Sequence, residues 1–488
     1  MNALVASLEN SSTSAVAYTA NGARTLPTSG AKCVDLFAAL GSIQNEAQAV
    51  QMFAQAYAED KKIATAVALW GRDVRGGAGR RAAFRAILKH LEVVDFEVFT
   101  RVLARVPELG RWDDVLSAQT EAGRAIAYGM VARALIAEDR LCAKWMPRKA
   151  SQSDDTAARL REFLGLTPKQ YRKVLVKLTD VVESKMCARH WSEISYDKLP
   201  SVAAARYARA FKKRDQARYE EYLQSLVKDP TKKINVGALY PHDLVRTACY
   251  GGQDTYATAA WKQLPNFIAE GISILPLVDT SSSMTCPASG QLTCMDAAIS
   301  LGLYLSERNT GPFKNRAINF NDRSEWIIDD PTQSLSARYY KMRQANWGGS
   351  TNLQSAFELI LGAAVKGKVP QADMPQYLLI LSDMEFNSAC NYGSRSYLYD
   401  RGGAAKSENF AAIDAKYRAA GYERPQIIFW NLNARAGNSP VSMLEGNTSM
   451  VSGFSPAVMK SVLGQKTVTP LDSMLDTVLT PRYNVFDV

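Results

Sequence analysis

The stretch Pro276-Leu-Val-Asp279-Thr-Ser281-Ser-Ser283 directly follows a short apolar run, Ile272 to Leu275. Together these residues predict a buried β-strand that ends at Asp279, with Ser281 and Ser283 at alternate positions in the loop after it. One carboxylate and two hydroxyls are hard oxygen ligands, which a small divalent cation such as Mg²⁺ prefers. The stretch therefore predicts a metal-binding loop at the carboxyl end of a strand.

Two later segments carry oxygen ligands that would complete such a site. Thr351 follows the glycine turn Gly348-Gly349-Ser350, and the run Tyr377-Leu-Leu-Ile-Leu-Ser-Asp383 predicts a second apolar strand that ends in an acid. Ligands of open α/β sheets bind at the carboxyl ends of strands, near a topological switch point. We therefore predict a site for Mg²⁺ or another divalent cation; the alternative is a set of turn caps without metal. Its predicted ligands are Asp279, Ser281, Ser283, Thr351 and Asp383.

Composition narrows the class of protein. With 488 residues, the chain is long enough for two or three domains and a sizeable core. Its seven cysteines form no CxxC pair and its three histidines lie far apart, which favours reduced thiols and disfavours a zinc site or a histidine-based hydrolase. The sequence shows no apolar run of membrane-spanning length and no signal-peptide pattern, so we expect a cytoplasmic protein.

The net charge of +10 is distributed unevenly along the chain. Residues 31–250 carry 37 Lys and Arg against 26 Asp and Glu, a surplus of 11, whereas residues 251–488 carry 20 against 21. A basic half of this kind favours a polyanionic partner, with RNA or DNA as the first expectation. The alternative is a basic surface that only aids solubility.

The pattern of apolar residues divides the chain into three parts. Residues 1–30 are rich in Ser, Thr, Ala and Asn and are predicted to be a flexible arm. Residues 31–267 show helical spacing throughout, which predicts an array of stacked helices of the HEAT-like type. Residues 268–488 alternate apolar strands with helices, which predicts a doubly wound parallel sheet. The fold class is thus α followed by α/β.

The helical part contains several basic segments that we treat as candidates for RNA binding. Arginines surround the glycine-rich stretch 71–81, and residues 206–214 combine cations with Tyr207 and Phe211, a mixture suited to single-stranded RNA. The stretch 71–81 is equally consistent with a plain turn between helices, and the two aromatics are better explained as core residues. The candidates are Arg72, Arg75, Arg80, Arg81, Lys144, Arg148, Lys149, Lys169, Arg172, Lys173, Lys177, Arg206, Arg209, Lys212, Lys213 and Arg214.

The order of these motifs resembles a known architecture. The Asp-x-Ser-x-Ser loop resembles the metal-ion-dependent adhesion site of von Willebrand factor A domains, and a basic helical half before such a domain resembles the Ro (TROVE-type) RNA-binding proteins. The match is closer to a family of Ro-like proteins from plants, microbes and viruses. The phrases that carry it are 71–81, GRWDD at 110–114, YRK at 171–173, LPSVAAARY at 199–207, VDTSSSM at 278–284, GGSTNLQ at 348–354, SDMEF at 382–386 and FWNLN at 429–433.

The resemblance implies a non-enzymatic ribonucleoprotein component. Helical repeats close into a ring in Ro proteins, with the A domain joining the ends, small structured RNAs on the outer surface and single-stranded ends in the hole. By the same resemblance, Asp279, Ser281, Ser283, Thr351 and Asp383 form the metal site. The alternative function is a protein-interaction module that docks an acidic residue of a partner on the metal without RNA. A metal-dependent hydrolase is a third and weaker hypothesis, because such catalysis needs a base and often a second ion.

Overall fold

The protein is described by a computed structural model that covers most of the chain. The described residues are 17–19, 24–148, 155–179, 181–229, 232–237, 239–320, 324–345, 353–386, 408–435, 437–459, 463 and 469–486. After two very short strands, β1 (Ala17–Tyr18) and β2 (Arg24–Thr25), the first half is helical, and the second half is built on one mainly parallel sheet. The predicted fold class, α followed by α/β, is therefore confirmed.

The helical half consists of short helices joined by tight turns. They are α1 (Lys32–Leu40), α2 (Glu46–Glu59), α3 (Lys61–Arg72), α4 (Arg81–Val94), α5 (Phe96–Leu109), α6 (Trp112–Val115), α7 (Glu121–Ile136), α8 (Arg140–Trp145), α9 (Thr156–Phe163), α10 (Pro168–Leu178), α11 (Val182–Cys187), α12 (Ser201–Arg214), α13 (Gln216–Lys228), α14 (Pro241–Cys249) and α15 (Asp254–Lys262). No helix among the described residues has the length and apolar character needed to cross a membrane.

Side-chain caps explain where several of these helices begin. Asn45 accepts hydrogen bonds from the first free N–H groups of α2, and Asp60 and Asp95 do the same for α3 and α5. These acceptors satisfy backbone donors that have no partner within the helix. The helical spacing is interrupted near residue 180, where α10 ends at Leu178 and α11 begins at Val182. Thr179 is extended and its hydroxyl donates to the Leu175 carbonyl, which ends the helix.

The second half alternates strands and helices. Its strands are β3 (Ile274–Asp279), β4 (Pro287–Ser289), β5 (Leu292–Thr293), β6 (Arg316–Phe320), β7 (Trp326–Ile328), β8 (Tyr377–Ser382), β9 (Gln426–Asn431) and β10 (Thr448–Ser452). Its helices are α16 (Cys294–Arg308), α17 (Leu335–Arg343), α18 (Leu353–Gly367), α19 (Glu408–Ala419) and α20 (Pro470–Val478). A short 3-10 helix at Pro456–Val458 follows β10.

The sheet has the strand order β10-β9-β8-β3-β6-β7. All neighbours pair in parallel except β7, which runs antiparallel to β6 at one edge. Every residue of β3 and β8 is buried, because helices cover both faces of the central strands. β4 and β5 form a separate small hairpin between β3 and α16.

Both ends of the helical half pack against the sheet domain. Near the start, the Gly41 N–H donates to Ser452 Oγ of β10 at 2.9 Å, and a Cβ at Gly41 would lie 2.2 Å from the Ser452 carbonyl oxygen. Near the end, the Trp261 indole N–H donates to Glu307 of α16 at 2.6 Å. Residues 25–29 are also held to the sheet domain, for example through the hydrogen bond from the Met443 N–H to the Ser29 carbonyl. The sheet domain therefore links the two ends of the helical half.

Candidate metal centre and basic surface

Two acidic strand ends meet at one edge of the sheet. Asp279 is the last residue of β3, and Asp383 directly follows β8. The parallel register pairs Val278 with Leu381, so the two strands end at the same height. From β3 the chain continues to β6 on one side, and from β8 it continues to β9 on the other. This edge is therefore a topological switch point, the usual place for ligands in α/β sheets.

The loop after β3 folds its serines toward Asp383. The Ser281 N–H donates to Asp279 Oδ1 at 2.9 Å, and the Ser281 and Ser283 hydroxyl oxygens lie 3.0 Å apart. The Ser283 hydroxyl donates to Asp383 Oδ1 at 3.4 Å. The structure thus places four of the five predicted ligands together. Thr351, the fifth, lies outside the described residues.

Burial makes ionisation of the two acids at this edge of the sheet unfavourable. The side chains of Asp279 and Asp383 are almost fully buried, with 0% and 1% exposure. Burial and then the nearby charge of Asp383 raise the pKa of Asp279 to about 6, and burial likewise raises the pKa of Asp383. Two buried carboxylates close together in a region of low dielectric repel each other when both are ionised. A cation between them would relieve that repulsion.

The donor set fits a hard divalent cation. The buried Oδ2 atom of Asp383 accepts no hydrogen bond, and a guanidinium nitrogen of Arg435 lies 3.8 Å from it. Within the described ranges no cluster of three or more His, Cys, Asp or Glu side chains could hold a metal, so this site depends on hydroxyl oxygens beside its two carboxylates. Carboxylate and hydroxyl oxygens suit Mg²⁺, which keeps several water ligands.

The sequence interpretation missed three groups around this site. Ser382 donates to Asp279 Oδ2 at 2.6 Å, which holds that carboxylate in place. Arg435 follows β9 and lies 3.4 Å from Glu385, so it spans the acids that follow β8. Asn438 also donates to Glu385, at 3.1 Å. Arg435 could have been found by the same rule that found Asp383, because it too follows the carboxyl end of a parallel strand.

The glycine-rich stretch 71–81 is a structural turn in which arginines serve the fold. Arg72 is 1% exposed and its guanidinium contacts Asp114 through Nε at 2.8 Å and Nη2 at 2.6 Å. Arg75 donates to the Glu108 carbonyl, and the half-buried Arg80 donates to the Ile43 carbonyl. These three predicted RNA-binding residues therefore have protein partners. Gly77 is required for close approach, because a Cβ there would lie 1.9 Å from the Trp70 carbonyl oxygen.

Several other predicted cations also have partners nearby. Arg81 lies 4.0 Å from Asp113, Lys177 lies 2.8 Å from Glu138 and Arg148 donates to Thr179. The Trp145 ring is covered by the Arg111 guanidinium at 3.5 Å, with Lys144 at 5.5 Å from the same ring. Lys149 lies outside the described residues. Three cations of α10, Lys169, Arg172 and Lys173, are exposed on the side opposite its buried residues.

Helix α12 carries the largest exposed set of candidates. Its buried face consists of Ser201, Ala204, Ala208 and Phe211, and Tyr207 donates to Glu183. We call its exposed surface the α12 basic face; its basic members are Arg206, Arg209, Lys212, Lys213 and Arg214, all exposed. None of these five forms an ion pair with any described carboxylate. The expectation that Phe211 serves the core agrees with its complete burial.

A groove of about 560 Å³ adjoins the α12 basic face. Arg209, Lys212 and Lys213 line one side of it, and the turn Tyr250-Gly251-Gly252 lines the other. Tyr250 is 52% exposed, and its hydroxyl is held by Arg343 Nη1 at 3.1 Å and by the Tyr339 hydroxyl at 3.3 Å. The groove therefore combines cations with a fixed, accessible aromatic ring.

Comparison with known proteins finds matches to two family models and to an uncharacterized viral protein. A domain of unknown function, DUF2828, matches residues 119–269, and a second, DUF7788, matches residues 273–478. An uncharacterized protein of Acanthamoeba polyphaga mimivirus is 28% identical over 521 residues, which cover 96% of this chain and 87% of that protein. These matches span both halves of the chain but carry no described function.

Among solved structures, the chain is similar to the Ro (RSR) protein of Deinococcus radiodurans. The match covers 88% of this chain and 91% of that chain, at 16% identity and a TM-score of 0.34. At this TM-score the likeness assigns neither a fold nor a function to the present chain.

Proposed function

We propose that this protein is a non-enzymatic RNA-binding protein that contacts single-stranded RNA through the α12 basic face and the adjoining groove. The observation that supports this most directly is the set of five exposed cations on one helix face without carboxylate partners. Unpaired surface cations can neutralise phosphates, with release of the counterions condensed on the nucleic acid. Most of the basic surplus of the chain lies in the same half.

The groove beside this face suits an unpaired nucleotide. Arg209, Lys212 and Lys213 would contact phosphates, while the Tyr250 ring offers a surface on which a base can stack. Gly251 and Gly252 follow Tyr250 in the turn and have no side chains. Gly252 has a φ of +64°, a conformation that favours glycine. Cations plus a fixed aromatic ring are the combination that binds single strands with little dependence on sequence.

The direct test measures the affinity of the full chain for a fluorescent single-stranded RNA at several salt concentrations. A variant with Arg209→Ala, Lys212→Ala and Lys213→Ala removes three proposed phosphate contacts. We expect affinity to fall by about 30-fold and the slope of log affinity against log salt to become shallower by about 2, since each single-strand contact contributes about 0.7.

A matched control removes the same charge from the other half of the chain. Lys366, Lys368 and Arg418 are exposed on the helical layer of the sheet domain, so their replacement by Ala changes the net charge equally. The proposal requires this control to bind nearly as well as the wild type. Equal losses in both triple variants would show that only net charge matters and would contradict a specific surface.

We also propose that the sheet domain binds a divalent cation through Asp279, Ser281, Ser283 and Asp383, with Thr351 as a further ligand. The support is the buried Oδ2 of Asp383, which accepts no hydrogen bond, beside a second buried carboxylate. A bound cation would offer an open position to an acidic side chain of a partner protein. The exposed guanidinium of Arg435, beside Asp383, favours an acidic partner for the same electrostatic reason.

Titration calorimetry with Mg²⁺ tests this second proposal. Asp279→Asn keeps the side-chain volume and should abolish binding, whereas Asp373→Ala removes an exposed acid from the same domain and should leave binding unchanged. RNA affinity that is the same in wild type and Asp279→Asn would identify the metal site as a separate interaction site. Mg²⁺ binding that survives Asp279→Asn would contradict the proposed ligand set.

A further inference from the structure

Two cysteines flank the small hairpin that leads from the metal loop to α16. Cys286 precedes β4 and Cys294 follows β5, and the register pairs Pro287 with Thr293, so the cysteines occupy the next opposed pair. The Cys294 N–H donates to the Cys286 carbonyl at 3.0 Å. Opposed residues in such a hydrogen-bonded antiparallel pair have Cα atoms about 5.5 Å apart, within the range that a disulfide spans.

The sulfur atoms are already in contact. The two Sγ atoms lie 3.3 Å apart, and the segment after β9 fixes both of them. The Asn433 side-chain amide donates to Cys286 Sγ at 3.3 Å, and Cys294 Sγ lies 3.5 Å from the Leu432 carbonyl oxygen. Closing a bond of about 2.05 Å requires the sulfurs to approach by little more than 1 Å, which side-chain rotation can supply.

The two thiols differ in solvent exposure, which suits the two steps of a thiol–disulfide exchange. Cys286 is half-buried and Cys294 is fully buried at the start of α16. A small disulfide in solution can therefore reach Cys286, while Cys294 is placed to resolve the product. This division between an attacking and a resolving thiol is typical of redox-active pairs.

We infer that Cys286 and Cys294 form a reversible intramolecular disulfide by exchange with low-molecular-weight disulfides of the glutathione type. The Cys286 thiolate attacks one sulfur of the small disulfide, forms a mixed disulfide and expels one small thiolate. Cys294 then loses its proton to water or to that thiolate, and its sulfur attacks Cys286 Sγ and expels the second small thiolate. Two protein thiols are oxidised and one small disulfide is reduced to two thiols.

Closure of this bond would act on the metal loop. The Cys286 N–H donates to the Ser283 carbonyl at 3.1 Å, so Cys286 is joined directly to the loop that carries Ser281 and Ser283. A shift of Cys286 toward Cys294 would move that loop relative to Asp383. This consequence rests on the proposed metal site, whereas the disulfide itself does not.

The chain offers a simple assay for the disulfide. Trypsin cleaves after Lys262 and Arg308, and the peptide between them contains Cys286, Cys294 and no other cysteine. The full chain is equilibrated in glutathione buffers of increasing oxidised fraction, acid-quenched, alkylated and digested. We expect the peptide to lose both alkyl labels together and to weigh two hydrogen atoms less than the dithiol. The exposed Cys187 reports ordinary glutathione addition in the same sample.

Two outcomes would overturn the inference. One is a peptide that keeps two labels in buffers in which Cys187 already carries glutathione. The other is a peptide that ends with two glutathione adducts. The variant Cys294→Ser removes the resolving thiol and should accumulate one adduct at Cys286, and an unmodified Cys286 in that variant would also contradict the inference.

The coupling is tested by Mg²⁺ calorimetry on reduced protein, oxidised protein and Asp279→Asn. We expect affinity to change at least severalfold between the reduced and oxidised forms, and the double variant Cys286→Ser, Cys294→Ser to show no change in the oxidising buffer. Equal affinities in the reduced and oxidised forms would contradict the coupling between the disulfide and the metal site. They would not contradict the disulfide itself. Absence of Mg²⁺ binding in every form would instead contradict the proposed metal site.

Discussion

The stretch 71–81 and the segment 206–214 are both rich in cations, yet the fold uses them in different ways. In the first, Arg72 is buried against Asp114, and the half-buried Arg80 donates to a carbonyl. In the second, the α12 basic face is exposed and has no carboxylate partner among the described residues. The difference teaches that a basic motif identifies a nucleic-acid surface only when its charges remain unpaired after folding.

The largest effect expected from this comparison is on stability. Arg72→Ala would leave the buried carboxylate of Asp114 with Arg85 at 2.6 Å as its one remaining described guanidinium partner, beside the Arg111 N–H at 3.1 Å. Loss of one partner from a buried pair costs about 3–5 kcal/mol. Chemical denaturation should therefore show a much lower free energy of unfolding for Arg72→Ala, while Arg209→Ala on the exposed α12 basic face should unfold like the wild type. A stable Arg72→Ala protein with weakened RNA binding would reverse the comparison.

The comparison extends to buried acids. The pH dependence of stability should differ between a buried acid with a cationic partner and one without. Burial alone would raise the pKa of Asp73, but hydrogen bonds from Arg482 at 2.5 Å and 2.9 Å lower it. Asp279 has no cationic partner among the described residues, and burial raises its pKa from 3.8 to about 6. A raised pKa means that the folded state holds its proton longer, so ionisation of Asp279 destabilises the fold as pH rises through this range.

In magnesium-free buffer we therefore expect Asp279 to cost the fold up to about 3 kcal/mol by pH 7, a penalty that develops between pH 3.8 and about 6. Asp279→Asn should remove this loss. Asp73→Asn should do the opposite: it should destabilise the fold above pH 3.8, and this loss should shrink as pH falls below 3.8 toward the lowered pKa of Asp73. Denaturation midpoints from below pH 3.8 to pH 7, with and without Mg²⁺, provide the measurement, and parallel curves for the two variants would contradict the distinction.

A smaller effect is expected at the aromatic side of the groove. Tyr250→Leu removes the exposed ring, and stacking of one base contributes about 1–3 kcal/mol to single-strand binding. Tyr250→Phe keeps the ring but loses the hydroxyl contacts with Tyr339 and Arg343. We expect RNA affinity to fall about tenfold for the Leu variant and much less for the Phe variant. Equal affinities for the Leu variant and the wild type would remove Tyr250 from the RNA surface.

The smallest effect concerns a cation that is both exposed and paired. Lys177 lies 2.8 Å from Glu138, but the two side chains are 74% and 64% exposed. Such pairs contribute little because water screens them. Lys177→Ala should leave the unfolding midpoint unchanged within error and should weaken RNA binding less than Lys173→Ala on the same helix. A clear drop in the midpoint would show that pairing, and not burial, distinguishes the two classes of cation.

The local patterns predicted the central strands of the sheet domain but missed the edge strands β7 and β10 and the small hairpin of β4 and β5. The central strands β3, β8 and β9 are apolar runs, and their acids mark the strand ends. β10, Thr448-Ser-Met-Val-Ser452, is fully buried although three of its five residues are polar. Ser449 contacts Ser473 at 2.8 Å and Ser452 donates to the Phe37 carbonyl, 415 positions away in sequence. Because those partners are distant, no local pattern could predict this strand.

The amino-acid sequence by itself determined the helical and strand periods, the order of the two halves and the four described acids and serines that follow β3 and β8. Those features depend on residues only a few positions apart in sequence, so local sequence patterns predict them. Only the tertiary structure decided which cations are paired and which are exposed, because the Arg72–Asp114 and Arg482–Asp73 pairs join residues 42 and 409 positions apart. The contact between Cys286 and Cys294 likewise depends on the turn of a hairpin and on the segment after β9. Charge and thiol chemistry are thus set by neighbours in space, which the fold alone brings together.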